Sequence, residues 1–275
     1  MKIPEYPPKD KVPLRLDEIL QATRQGLPAL HRRRAALEQA LEGSRVTRPS
    51  FRAALQRPTV AVIAEVKRRS PSAGSIREDL DPGNRAALYA ASGAAAISVL
   101  TDQRFFGGSM EDLRAAVGQC SLPVLRKDFI VDEVQILEAR AAGASAVLLI
   151  VRVLGRSRLT ALLRCAAELG LDALVEVHTE AELGVALDTN AGIVGINSRD
   201  LDTLTIDVER AWTLIGRIPS DRVAVAESGI FGQSDVVRAA QAGADAVLIG
   251  TALSTAQSPE TLLRSELSGV LRRGR

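Results

Sequence analysis

AASGAAAISVL (residues 90–100), ARAAGASAVLLI (139–150) and AAQAGADAVLIG (239–250) are three versions of one join, in which an Ala-rich helical pattern meets a Gly and then a short apolar run. A helix that ends at a glycine and is followed at once by a buried strand is the helix-to-strand turn of a parallel α/β protein. Gly93, Gly143 and Gly243 fall where a helix C-terminus is closed by a left-handed residue, so their expected role is structural.

Outward from these joins the alternation continues. Strands are expected at 60–67, 95–101, 122–127 and 145–151, then at 172–178, 192–197, 222–228 and 245–250. Helices are expected at 84–92, 109–118, 132–142, 156–169, 179–187, 208–216, 233–242 and 259–270. Eight strand-then-helix repeats in an α/β chain of 275 residues are the number that closes a (β/α)8 TIM barrel, which takes roughly 250 residues. An open doubly wound sheet fits the same alternation, but the internal repetition favours the barrel. Residues 1–58 precede the repeat and hold helical patterns at 16–25 (LDEILQATRQ) and 28–42 (PALHRRRAALEQALE). They are expected to form an N-terminal helical extension to a catalytic barrel over 59–275, either covering the barrel mouth or plugging its bottom.

Hydrophobic residues make up 46% of the chain and aromatics only 3%, so the core is built from Ala, Val, Leu and Ile. The net charge of +2 comes from Arg spread along the whole chain, without the basic block and interleaved aromatics that track a nucleic-acid backbone. No nucleic-acid partner is expected. The N-terminal MKIPEYPPKDKVP is charged and Pro-rich where a signal peptide is apolar, and no apolar run reaches the ~20 residues that span a bilayer. A cytoplasmic protein without membrane contact is expected. Cys120 and Cys165 lack CxxC spacing and read as small buried apolar side chains in helices. The only histidines, His31 and His178, come without a Cys or carboxylate cluster at ligand spacing, so no metal is expected.

In a barrel of this type the chemistry sits at the C-terminal ends of the strands, and side chains alternate between faces along each strand. In AVIAEVKRRSPS (61–72), Glu65 and Lys67 share one face while Val62, Ala64 and Val66 share the other, which turns the charged pair into the lumen near its top. The other strand ends add Lys127 after LPVLR, Glu176 in LVEVH, Asn197 in VGIN and Ser228 in VAVAES. Each alone has an ordinary structural use, as an internal ion pair, a loop cap or a backbone partner. Burying the whole set is costly without a task.

Of 35 Lys and Arg residues only five are Lys, and beyond residue 11 the only lysines are Lys67 and Lys127, both at expected strand ends. Arg fills the neighbouring positions 68, 69 and 126. Arg stays protonated, whereas a partly buried Lys exchanges a proton. The two lysines are therefore candidates for proton transfer, Schiff-base chemistry or contact with a substrate anion. The last two strands end in ESGIFG and IGTAL, where the small residues Gly229, Gly250 and Thr251 let backbone N–H groups approach a phosphate. A small phosphorylated molecule is the implied ligand.

IAEVKRRSPSAG (63–74), SVLTDQRFFGGS (98–109), LPVLRKDFIVD (122–132), ALVEVHTEAEL (173–183), GINSRDL (195–201), ESGI (227–230) and AVLIGTAL (246–253) together resemble the indole-3-glycerol phosphate synthase family. The resemblance runs over essentially the whole chain, N-terminal extension included. It implies that 1-(2-carboxyphenylamino)-1-deoxyribulose 5-phosphate closes its ring, loses CO2 and then water, and becomes indole-3-glycerol phosphate, a step of tryptophan biosynthesis. No cofactor, metal or obligatory protein partner is implied.

The same resemblance implies a role for each matched residue. Lys127 would be the acid that protonates the ribulose carbonyl, and Glu176 would stabilise the cationic intermediate and take part in dehydration. Lys67 would pair with the substrate carboxylate, with dehydration as its other task, and Glu65 would orient the lysines and the substrate hydroxyls. Asn197 and Ser228 would hydrogen-bond substrate or order the charges, while Gly229, Gly250 and Thr251 would hold the phosphate. Phe106 and Phe129 would wall the anthranilate ring, and Ser70 and Arg199 would contact substrate, with loop anchoring as the other task of Arg199. The chain departs from the family pattern at Ser198, where a second Asn is common, and in GTALSTA (250–256), where ESLM is more usual. Two rival readings stay open: another phosphate-binding barrel, such as a Schiff-base aldolase or a sugar-phosphate isomerase, and a catalytically silent barrel that binds metabolites.

Overall fold

The computed structural model describes residues 16–42, 49–70 and 74–274. The chain begins with α1 (Leu16–Arg32), α2 (Arg34–Glu42) and α3 (Phe51–Leu55). It enters β1 (Ala61–Val66), passes through an antiparallel hairpin of β2 (Arg69–Ser70) and β3 (Gly74–Ser75), and continues into α4 (Pro82–Ala91). β4 (Ala96–Leu100) leads through α5 (Gln103–Phe106) and α6 (Met110–Gln119) to β5 (Val124–Lys127), α7 (Glu133–Ala141) and β6 (Ala146–Ile150). The unit then repeats as α8 (Val151–Glu168), β7 (Asp172–Val177), α9 (Glu180–Leu187), β8 (Ile193–Asn197) and α10 (Val208–Ile215). β9 (Val223–Glu227), α11 (Gln233–Ala242), β10 (Ala246–Ile249), α12 (Thr251–Thr255) and α13 (Pro259–Leu262) complete the order.

The strands pair in parallel in the order β1-β10-β9-β8-β7-β6-β5-β4, and β4 returns to β1 with Ile63 beside Ala96. The barrel is closed and has no free edge. It is a (β/α)8 TIM barrel preceded by helices, and every expected strand lies within two residues of its place. The joins read first from the sequence hold as well: Gly93, Gly143 and Gly243 have φ of 98°, 88° and 99°.

Strand alternation sorts the apolar side chains into two cores. Val62, Ala64 and Val66 pack outward against the helices, whereas Ala61 and Ile63 face the axis with Leu125, Leu174, Val225 and Leu248. This parity decides which strand-end residues enter the lumen.

Several local expectations change. α1 runs unbroken through Pro28, because proline's fixed φ is itself helical and only one intrahelical bond is forfeited; the break comes at Arg33. The helix expected over 259–270 ends at Leu262 and widens into a π-helical turn, Leu263–Leu267, after which Gly269 turns left-handed at φ 85°. Cys120 and Cys165 are free thiols but only half-buried, and Cys120 caps α6 rather than lying inside it. No helix of the described residues is long and apolar enough to cross a membrane.

Of the segment before the barrel, the Pro-rich start with Lys2, Lys9 and Lys11 lies outside the described residues. The helices that follow reach both ends of the barrel. Leu16 and Ile19 of α1 line the cleft at the mouth, and α1 and α2 lie along α7. At the opposite end Phe51 and Leu55 are fully buried in the axial core beside β1 and β4. Asp172 at the start of β7 accepts from Ser50 Oγ at 3.0 Å and from the Arg52 backbone N–H at 2.9 Å, which ties α3 down.

Phe51→Ala would empty this plug without touching the mouth. It should lower the unfolding free energy by about 3–5 kcal/mol, read as a lower urea midpoint.

Candidate active site

Inward parity on three strands brings one ammonium between two carboxylates. Leu125 faces the axis and so does Lys127; Leu174 is followed by Glu176 on the same face, and Val225 by Glu227. Lys127 Nζ donates to Glu227 Oε2 at 2.9 Å and to Glu176 Oε2 at 3.3 Å. Beside them, Lys67 Nζ stands 3.0 Å from Glu65 Oε1 and donates to Thr251 Oγ1 at 3.1 Å. Glu65, Glu176 and Glu227 are buried.

All thirteen residues singled out in the sequence line one cleft at the C-terminal ends of the strands: Glu65, Lys67, Ser70, Phe106, Lys127, Phe129, Glu176, Asn197, Arg199, Ser228, Gly229, Gly250 and Thr251. The Phe106 and Phe129 rings lie 6.3 Å apart and are tilted by 37°, forming an apolar wall that Leu148 and Ile150 extend. Asn197 Oδ1 accepts the Arg199 backbone N–H at 3.0 Å, and Arg199 Nη1 donates to the Leu204 carbonyl at 3.0 Å, which anchors the loop after β8. Among the described residues no group of three or more His, Cys, Asp or Glu side chains is arranged to hold a metal ion.

Two functional candidates escaped the sequence reading. On the ninth strand the inward residue is Glu227, not Ser228, which lies just past the strand with φ 64° and reaches the cleft from the loop. The signal was present in VAVAES, since Glu227 has the parity of Val223 and Val225. His178 is the other, buried behind Glu176 with Nε2 3.3 Å from Glu176 Oε1.

Two glycines make room for these charges. A Cβ on Gly195 would stand 2.1 Å from Glu227 Oε1, and one on Gly250 would stand 2.1 Å from Glu65 Oε1 and 2.9 Å from Lys67 Nζ. Gly250 therefore has a steric task beside the phosphate contact expected of it.

The electrostatics differ between the carboxyls. Burial drives the Glu227 carboxyl up to about 7, with the Lys127 ammonium pulling the other way and the Glu176 charge adding to the rise. Burial also raises Glu176, but Lys127, His178 and an Asn197 hydrogen bond outweigh it and hold that carboxyl well below the usual range. Burial opposes the charge on Lys127, and Glu227, Glu176 and Glu65 together more than offset this, so its pKa lies above the ordinary lysine value. His178 likewise overcomes burial through Glu176 and Glu182 and rises to about 9.

Comparison with known proteins agrees with this geometry. The family model of indole-3-glycerol phosphate synthase matches residues 16–265. The chain is 49% identical over 246 residues to an indole-3-glycerol phosphate synthase of a Parafrankia species, covering 89% of this chain and 91% of that protein. The corresponding enzyme of a Nocardioides species is 51% identical over 249 residues, covering 90% and 94%. Among solved structures, tryptophan synthase from M. tuberculosis superposes with a TM-score of 0.56 at 19% identity, covering 78% of this chain and 92% of that one. Thiamine phosphate pyrophosphorylase from Pyrococcus furiosus gives 0.54 at 16%, covering 76% and 94%. At those identities the likeness is one of fold.

Glu227 links the site to stability. Its folded pKa of about 7 lies above the 4.5 of an ordinary carboxyl, so the stabilisation from its bound proton is complete below about 4.5 and is lost as pH rises through about 7. Glu227→Gln, fixed in the neutral form, should match the wild type at about pH 4 and unfold at higher urea at about pH 8. A difference that does not vary with pH would contradict this assignment.

Proposed function

The chain belongs to the indole-3-glycerol phosphate synthase family, and on that premise we propose that it converts 1-(2-carboxyphenylamino)-1-deoxyribulose 5-phosphate to indole-3-glycerol phosphate, CO2 and water. We assign the chemistry to the barrel over 59–275 and treat residues 1–58 as an extension that frames it, in a cytoplasmic enzyme without an obligatory protein partner. The observation that carries the reading is Lys127 held between Glu176 and Glu227 beside an aromatic wall.

Ring closure begins when the aromatic carbon attacks the ribulose carbonyl. Negative charge develops on the carbonyl oxygen, and an ammonium already aimed at it stabilises the transition state more than the ground state. Lys127 supplies that charge and a proton, since the alkoxide formed is basic enough to take it. The attack leaves a cationic iminium in the former aromatic ring. Glu176, kept ionised, is the counter-charge for that cation. Loss of CO2 returns the electron pair to the ring and relieves the cation. Dehydration then needs a base for a ring proton and an acid for the departing hydroxyl. Glu227, with a pKa of about 7, suits proton exchange better than Glu176 does, so we assign it that part.

Phe106 and Phe129 would flank the anthranilate ring, and Ser70, Asn197 and Arg199 would contact the substrate or order the polar rim. Gly229, Gly250 and Thr251, with Ser228, would hold the phosphate. Lys67 reaches Thr251, so its ammonium stands where it can serve the substrate carboxylate and also the phosphate end; Glu65 fixes its direction.

The charge on Lys127 weighs against the aldolase reading. A Schiff-base lysine must be a free amine, which needs a depressed pKa, and here three carboxylates raise it. Two lysines and three carboxylates around one cleft also exceed what a silent binding barrel requires.

The deciding experiment is the wild-type assay, following appearance of indole fluorescence from the carboxyphenylamino substrate. No fluorescence, together with borohydride trapping of a carbonyl substrate on Lys127, would replace this reading with the aldolase. Lys127→Arg should fold and lose turnover by about 10²-fold or more, because Arg keeps the charge but does not readily donate a proton. Lys67→Arg should be milder and appear mostly in KM; equal losses in kcat for both variants would refute this division of work.

A further inference from the structure

His178 stands one residue beyond β7 and is only 1% exposed. It does not line the cleft, yet its Nδ1 is hydrogen-bonded to Glu182 Oε2 on α9 at 3.3 Å, and its Nε2, which has no hydrogen-bond partner among the described residues, lies at an ion-pair distance of 3.3 Å from Glu176 Oε1. Glu182 Oε2 also accepts the His178 backbone N–H at 2.7 Å, which fixes the ring's place. Behind Glu182 stands Arg152 of α8, with Nε 3.5 Å from Glu182 Oε1 and Nη1 3.0 Å from Asp202 and 3.8 Å from Asp200. Lys127 on β5, Glu176, His178, Glu182, Arg152 and Asp202 thus alternate in sign from the lumen to the rim.

Without this arm the charges in the lumen do not balance. Without His178 the lumen would hold the carboxyls Glu65, Glu176 and Glu227 against the ammonium groups Lys67 and Lys127. Lys67 is taken by Glu65, and Lys127 lies between the other two. One carboxylate is therefore a cation short, and a buried uncompensated charge is relieved by taking up a proton. Two carboxyls so nearly alike, set apart only by the Asn197 hydrogen bond on Glu176, would compete for that proton, a near-symmetry that leaves neither a fixed role. His178 touches only one of them.

We propose that His178 is a positioning residue which breaks this symmetry: its imidazolium, clamped between Glu176 and Glu182, keeps Glu176 anionic and directs the exchangeable proton to Glu227. The inference rests on the ring-closing function assigned above. Under it, one carboxylate remains a permanent counter-charge for the cationic intermediate while the other exchanges protons, a division that pairs of catalytic carboxyls acquire when their surroundings push their affinities apart. The depressed Glu176, the Glu227 value of about 7 and the His178 value of about 9 agree with the geometry.

His178→Gln removes the charge and keeps a polar side chain. Its kcat near neutral pH should fall about tenfold with KM within about twofold, and the acid limb of the kcat profile should move up by about one pH unit, because Glu227, at about 7, and Glu176 then compete for the proton with one cation fewer beside them. Glu182→Gln should shift the limb the same way by less. If either variant folds and turns over with its acid limb unmoved, the proposal fails, since a merely structural histidine changes the urea midpoint and not that limb.

A second measurement does not depend on those variants. In His31→Gln the sole remaining imidazole is His178, and ring 15N shifts should show both nitrogens protonated from about pH 6 to about pH 8. A neutral ring at neutral pH would overturn the proposal. Absence of indole product from the wild type would instead remove the functional reading, and the nitrogen shifts would still report on the clamp.

Discussion

The Lys127 ammonium, shared by Glu176 and Glu227 inside a closed barrel, is the interaction on which the rest of the active end depends. A lumen of this kind is ordinarily filled with apolar side chains in layers, and Ala61, Ile63, Leu174 and Val225 fill its lower part in that way. Above them the layer turns ionic. Removing the Lys127 charge would strand two carboxylates away from water, which costs more than the ion pairs contribute. The network is thus held together by mutual need, and it is defined only because barrel closure brings β5, β7 and β9 to face one axis.

Small residues elsewhere follow from that constraint. Gly195 on β8 and Gly250 after β10 occupy inward positions where any side chain would enter the space of Glu227 or Glu65. Glu227 Oε1 has no hydrogen-bond partner among the described residues, and its carboxyl sits above its ordinary pKa. A polar atom buried in this condition costs stability. Such costs are typical of sites arranged for a transition state rather than for the resting fold, and the well-packed outer core of Val, Ile, Leu and Ala supplies the margin.

The fold was legible because its signals are periodic. Helix, glycine and strand recur at the three joins, and alternation within AVIAEVK separates Val62, Ala64 and Val66 from Glu65 and Lys67 as the structure does. What escaped depends on contacts distant in sequence. His178 carries no local mark of its task; its meaning comes from Glu182 one helical turn on and from Lys127 across the barrel. The hairpin β2–β3 and the short helices α5 and α12 were missed because four or five residues carry too little period to read, and loop packing decides them. Glu227 is a different case. Its parity with Val223 and Val225 marks it as inward in the sequence itself, one residue before the loop serine.

The use of lysine against arginine acquires a structural cause in two adjacent pairs. In RKD, Lys127 points into the lumen while Arg126 points outward, where its guanidinium donates to Thr101, Asp128, the Gln135 carbonyl and Glu138. In VKRR, Lys67 turns to Glu65 and Thr251, while Arg68 donates with both terminal nitrogens to Asp112 and also to the carbonyls of Leu80 and Gly107. Each arginine spends its planar fork on fixing a loop or helix behind the site, a task that needs many donors and no proton exchange. Each lysine presents one compact ammonium to the cleft. A single change of strand face therefore separates scaffold from chemistry, and the sequence records the change as a change of residue type, because a guanidinium in the lumen could hold a carboxylate but could not readily give up a proton to an alkoxide.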